Sequence, residues 1–204
     1  ADERLEEPVL EIDPILPCQG PVDLLVGVDP LLRKDLPDTA PGDLLPRFNI
    51  VQARHVPQAS FAPATVGLML KTDGQVRTGV VSRARLDFSE GSILRLSENT
   101  LVTVEEIDIS DGDPVTRFQL TLGKIWVSVF NRTFELQTPA GVATVRGSFA
   151  VFEVVLENPA DPSSVKLIVD CLEGDCTAKN DVTNTRFGNL ERVELKRRQP
   201  EIKP

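Results

Sequence analysis

The chain has no tyrosine, one histidine, one tryptophan and one methionine among its 204 residues. Each scarcity removes a class of function. Most active sites need a general base, and the lone His55 sits in Ala53-Arg54-His55-Val56-Pro57, a context that reads as strand or loop. No nucleophile elbow, phosphate-cradling glycine loop or dinucleotide fingerprint is present, since Gly91-Ser92 and Gly147-Ser148 lack the flanking spacing. An enzyme is therefore not expected, and no cofactor is implied. One histidine with three dispersed cysteines does not make a four-ligand zinc site. The acidic run Asp108 to Asp113 lacks the spacing of an EF-hand and reads as a solvated turn. Exposed aromatic platforms for carbohydrate are not indicated either, and Trp126 reads as a core residue.

Basic charge is also in deficit. With 22 Lys and Arg against 31 Asp and Glu, the net charge of -9 repels phosphate backbones and anionic lipid. Long apolar runs are missing, the longest being short stretches such as Val66–Leu70 and Ile125–Val129, far from the ~18 residues of a membrane helix. The first residues, Ala-Asp-Glu, carry neither an initiator methionine nor an apolar signal region, as expected after removal of a signal peptide and equally of a chain trimmed at that point. The expected location is extracytoplasmic: secreted, at the cell surface or periplasmic.

What is present is a β pattern. From residue 64 onward short strands alternate with turn residues, and Arg83 to Phe88 alternates strictly between charged and apolar side chains. Further strands are expected over Ser92–Leu96, Leu101–Ile109, Phe118–Leu122, Ile125–Phe130, Phe134–Thr138, Phe149–Leu156, Val165–Cys171 and Arg192–Leu195. Apolar residues on both sides of Ile125–Phe130 suggest a strand between two packed layers, and Phe149–Leu156 reads as a central strand. About ten strands at roughly 8–12-residue spacing predict an all-β fold, a twisted sandwich, barrel or solenoid. Residues 1–63 differ: ten prolines between positions 8 and 63 exclude long helices and describe an acidic, extended N-terminal arm ahead of a β domain at 64–204. Within the arm a short helix at Pro30–Asp35 and strands at Val9–Ile12 and Phe48–Ala53 are the candidates.

Cys171 and Cys176 flank Leu172-Glu173-Gly174-Asp175, whose Glu-Gly-Asp invites a tight hairpin turn that brings the sulfurs together. A disulfide is the preferred reading, two separately buried thiols the alternative, and Cys18 is then left unpaired. Two features point toward assembly. Residues 1–13 hold six acids against one base while 191–204 hold five bases against three acids, which favours head-to-tail contact. Val9, Leu10 and Ile12 form a β-prone stretch suited to adding onto a sheet edge, of a neighbour or of its own domain.

The run Thr78-Gly79-Val80-Val81-Ser82-Arg83-Ala84-Arg85-Leu86-Asp87-Phe88, followed by Gly91-Ser92-Ile93-Leu94-Arg95-Leu96, resembles the opening of FecR domains. Leu122-Gly123-Lys124-Ile125-Trp126-Val127, the stretch Thr138 to Ser148 with its Val-Arg-Gly-Ser ending, and Leu172-Glu173-Gly174 resemble later motifs in the family's order, over about residues 66–180. The resemblance implies an all-β, sandwich-like or solenoid-like extracytoplasmic domain, with glycines 79, 91, 123, 147 and 174 at turns that need unusual backbone angles. The best-known members of that family are membrane-spanning regulators relaying iron-uptake signals from an outer-membrane transporter to a sigma factor. Their cytoplasmic segment and membrane helix have no counterpart in this sequence, and the closing glycine element is only approximated by Gly188-Asn189-Leu190-Glu191. The expected function is therefore a non-enzymatic protein-interaction module whose partner is another protein or a second copy, extending to a surface filament built by β-strand addition. The soluble ectodomain of a FecR-type transmembrane regulator is the alternative.

Overall fold

The computed structural model describes residues 24–27, 50–88, 91–107, 115–161, 163–197, 199–200 and 202. Val9, Leu10, Ile12, Cys18, the Pro30–Asp35 segment and the Asp108–Asp113 run lie outside these residues. The described chain is all-β, with fourteen strands and no helix. Strands β1 (Leu24–Gly27), β2 (Val51–Arg54), β3 (Ala62–Pro63), β4 (Leu68–Leu70), β5 (Gln75–Thr78), β6 (Ala84–Asp87), β7 (Ile93–Leu96) and β8 (Leu101–Ile107) are short. The later set is longer: β9 (Val115–Ser128), β10 (Thr133–Thr138), β11 (Gly141–Leu156), β12 (Val165–Lys179), β13 (Asn184–Phe187) and β14 (Glu191–Lys196).

Hydrogen bonding joins all fourteen into one sheet that folds over on itself. β9, β11 and β12 make the fold because each changes neighbours halfway along. The first part of β9 pairs with β8 and β10, and its second part with β7 and β11. β11 leaves β10 for β9 beyond residue 146, and β12 leaves β14 for β13. One layer therefore runs β4-β1-β6-β7-β9-β11-β12-β14, and the other β3-β2-β5-β8-β9-β10-β11-β12-β13. We call them the first and second layers. Nearly all pairings are antiparallel, the arrangement of a sandwich, and β9–β10 is parallel. β1, β2 and β3, all before residue 64, are integral to these ladders.

Period-two alternation places one set of side chains between the layers. Phe118 and Phe134 from the second layer stack with centroids 5.0 Å apart, and Phe134 reaches Phe152 of the first layer at 6.1 Å. Phe88 meets Phe118 edge-on at 5.7 Å, completing a row of four buried rings. Pairs of this geometry add about 0.5–1.5 kcal/mol each beyond area burial. Leu86, Leu94, Leu120, Leu136, Leu167 and Leu195 close the core around them.

The bends are built from glycine and one disulfide. Gly123, Gly147 and Gly174 have φ of 104°, 123° and 105°, values that a side chain opposes. A Cβ on Gly147 would stand 2.9 Å from the Cα of Gly174, so the Val-Arg-Gly and Leu-Glu-Gly motifs are the two halves of one corner where β11 crosses β12. A Cβ on Gly123 would collide with Thr100, whose hydroxyl sits 3.1 Å from the Lys124 amide that donates to it. Gly91 also has a positive φ, but Gly79 does not. The close approach of Ile50, 3.2 Å from where a Cβ would be, accounts for that residue instead.

Cys171 and Cys176 are disulfide-bonded and fully buried. The expected hairpin between them is corrected: the chain does not reverse there. Both cysteines belong to β12 and keep their ladder to β11, opposite Ala150 and Val145, while residues between them bulge. The Cα atoms are 6.0 Å apart, whereas five extended residues would span about 17 Å. The turn-forming residues thus bend a strand rather than end it.

Candidate functional site

The outer surfaces of the two layers differ in chemistry. On the second layer the residues pointing away from the core are mainly polar and bonded to one another, and the one aromatic ring described among them, Phe61, is covered by two arginines. Arg54 Nε donates to Gln75 Oε1 at 2.7 Å, and Gln75 Nε2 to Thr103 Oγ1 at 2.9 Å. Arg77 Nε donates to Gln52 at 2.8 Å, Arg54 and Arg77 flank the Phe61 ring at 4.4 and 4.1 Å, and Arg117 pairs with Glu135 at 3.1 Å.

The first layer carries apolar side chains on its outer face. Trp126 of β9 stands between Arg95 of β7 and Val151 of β11 in the cross-strand register, and Ser128 stands between Ile93 and Phe149. Trp126 is half-buried and faces outward, which corrects its reading as core. The alternation is decisive: Ile125, Val127 and Val129 take the inner positions, so the residues between them point away. The same finding corrects the two-layer enclosure expected for this segment. Phe149–Leu156, by contrast, is the central strand expected, paired on both sides. Ile93, Arg95, Trp126, Ser128 and Phe149 line a shallow concavity of about 210 Å³, open to solvent.

Charged pairs border this face. Lys124 Nζ lies 5.6 Å from the Trp126 ring centroid and 3.1 Å from Glu153 Oε2. Arg85 pairs with Asp87 at 2.6 Å, and Arg192 holds Asp170 through two donors, one at 2.9 Å. Hydrogen bonding to Asp170 raises the Arg192 pKa above its ordinary value. Farther along, Lys196 Nζ is 2.8 Å from Glu157, and this hydrogen bond holds the Glu157 carboxyl below its usual pKa. Arg95 is exposed and makes no ion pair with a described side chain. An apolar centre with tryptophan and arginine thus lies inside a rim of paired charges.

The sequence candidates are distributed otherwise. Cys171 and Cys176 meet inside the corner, away from the outer face, and His55 is exposed in the connection after β2. Ile93, Arg95, Ser128 and Phe149 were not legible as one site, because only the pairing of β7, β9 and β11 brings them together. Among the described residues no cluster of histidine, cysteine and carboxylates is arranged to hold a metal ion, and no helix is long and apolar enough to cross a membrane.

Comparisons with known proteins agree with this architecture. Two crystal structures, at 1.65 and 2.50 Å resolution, of a candidate anti-sigma factor from Parabacteroides distasonis ATCC 8503 superpose with a TM-score of 0.52 at 13% identity. The match covers 64% of this chain and 58% of theirs, so the chain corresponds to little more than half the length of those proteins. The similarity is one of fold. No curated protein sequence matches the chain. The FecR protein family matches residues 74–176, from the start of β5 to the second disulfide cysteine, and this spans half of the sequence, including all three glycine bends. The chain belongs to the FecR family.

Proposed function

We propose that this chain is the extracytoplasmic protein-binding domain of a FecR-type signalling regulator, and that a protein partner docks on the outer face of the first layer around Trp126 and Arg95. The observation that carries the reading is the contrast between the two outer faces. Tryptophan and arginine gathered with phenylalanine and isoleucine in one shallow depression match the composition enriched at the centre of docking patches. The buried disulfide supports an oxidising compartment. The candidate anti-sigma factors with the same fold favour signal transduction over a purely structural role. Arg95, exposed and with no ion pair among the described side chains, favours a partner that offers a carboxylate or a carbonyl beside an apolar side chain.

Site-specific photo-crosslinking in the envelope of the producing cell tests this. A photoreactive residue in place of Ser128, on the first layer, should capture a partner protein in a band abolished by Arg95→Glu. The same probe in place of Gln52, on the second layer, should not. Equal capture from both faces, or none from position 128, contradicts the reading. Filament growth through Val9, Leu10 and Ile12 rests on sequence alone, since those residues lie outside the described structure.

A further inference from the structure

Strand β1 occupies a slot rather than an edge. Leu24, Leu25 and Val26 pair with Leu70, Met69 and Leu68 of β4, while Leu25, Val26 and Gly27 pair with Asp87, Leu86 and Arg85 of β6. Among the described residues β4 has no other strand partner, so its attachment to the first layer runs through β1. The slot is bordered on its inner side by Leu70 and Leu86, both fully buried, and on its outer side by Met69 and Asp87, both partly exposed. The four residues that fill it, Leu-Leu-Val-Gly, come from far away in the chain. Residues 28–50 separate β1 from β2 and include prolines at 30, 37, 41 and 46.

That separation decides where β1 can go. Twenty-three residues reach about 75 Å when extended, and a domain of about 150 residues has a radius of gyration of only about 15 Å. A connector that long lets β1 reach the slot of a neighbouring molecule as well as its own, which competes once the chains approach the effective local concentration. The ladder hydrogen bonds and the apolar register are identical in either arrangement, so the balance is set by concentration against an effective local concentration on the order of millimolar. Exchange of an identical element is the least costly route to an assembly.

We infer that the β4–β6 slot is an acceptor for β1 of a second copy of this chain, so that molecules held close together exchange β1. The slot lies at the β4 end of the same layer, beside the Trp126 patch rather than at its centre, and the inference does not depend on the function proposed above.

The test uses the full chain with Cys18→Ser as background, leaving Cys171 and Cys176 paired. Leu25→Cys and Met69→Cys sit opposite each other, and the exposure of Met69 makes the pair tolerant of substitution. The double variant reports whether the slot is formed, through closure of its new disulfide. The decisive sample mixes the two single variants, co-refolded from urea at about 1 mM and oxidised under mild conditions. Exchange predicts a covalent dimer joined through positions 25 and 69, absent from either single variant alone in that linkage by peptide mapping, and declining at least tenfold on hundredfold dilution before oxidation. A double variant that closes only within one molecule, with no 25–69 dimer in the mixture at 1 mM, overturns the inference. Failure of both to form the 25–69 bond also overturns it, because β1 then does not occupy the slot.

Discussion

The two outer faces of the sandwich are built from the same alternation but spend it differently. The second layer presents Gln52, Arg54, Gln75, Arg77, Arg117 and Glu135, side chains that satisfy one another across strands. The first layer presents half-buried Ile93, Trp126 and Phe149 between paired charges. A sheet face only has to be compatible with water, which the second layer achieves. The first layer places half-buried Ile93, Trp126 and Phe149 at its centre, where β7, β9 and β11 meet, and the proposed docking rests on this difference.

Changes beneath both faces should erase the comparison altogether. Phe118→Ala removes the ring that links Phe88 to Phe134 and should cost about 3–5 kcal/mol, read as a lower urea midpoint for the whole domain. Gly147→Ala acts on the corner that sets the layers against each other. It places a Cβ 2.9 Å from the Cα of Gly174 at a φ of 123°, and about 1–3 kcal/mol of lost stability is expected in the same titration. Replacing Cys171 and Cys176 together by alanine, at the same corner, should cost about 2 kcal/mol, because the closed loop is short.

A smaller effect sharpens the comparison at the rim. The Lys196 hydrogen bond lowers the Glu157 pKa, so the stability linked to this group is present above the unfolded carboxyl pKa and is lost as pH falls through the folded one. Lys196→Met should raise the Glu157 pKa toward its ordinary value in a carboxyl-detected NMR titration and leave the pH dependence above 6 unchanged.

Local periodicity was readable, and long-range geometry was not. Arg83–Phe88 announces β6 because each side chain there experiences either water or core, and Cys171 with Cys176 meet as their spacing suggested. Gly123 looks like a break between two strands, yet it bends one strand, β9, since a glycine at positive φ can turn a corner without ending the ladder. Glu173-Gly174-Asp175 misled in the same way. β4 has three residues, and β5 and β13 each carry a single buried apolar side chain, Val76 and Phe187, too few for alternation to stand out, while β1 pairs with residues more than forty positions later. Trp126 misled for a different reason: an apolar residue on the outer face of a strand is indistinguishable, by pattern, from one held between two layers. The candidate site was hidden for the same cause, since a docking patch borrows the composition of a core.

The most direct measurement pairs stability with capture for a single substitution, Trp126→Ala, using urea unfolding beside photo-crosslinking from position 128. The account predicts a loss of only about 1 kcal/mol, well under that of Phe118→Ala, together with disappearance of the partner band. A core-sized loss of stability, or a partner band that persists at full strength in a folded variant, would contradict it.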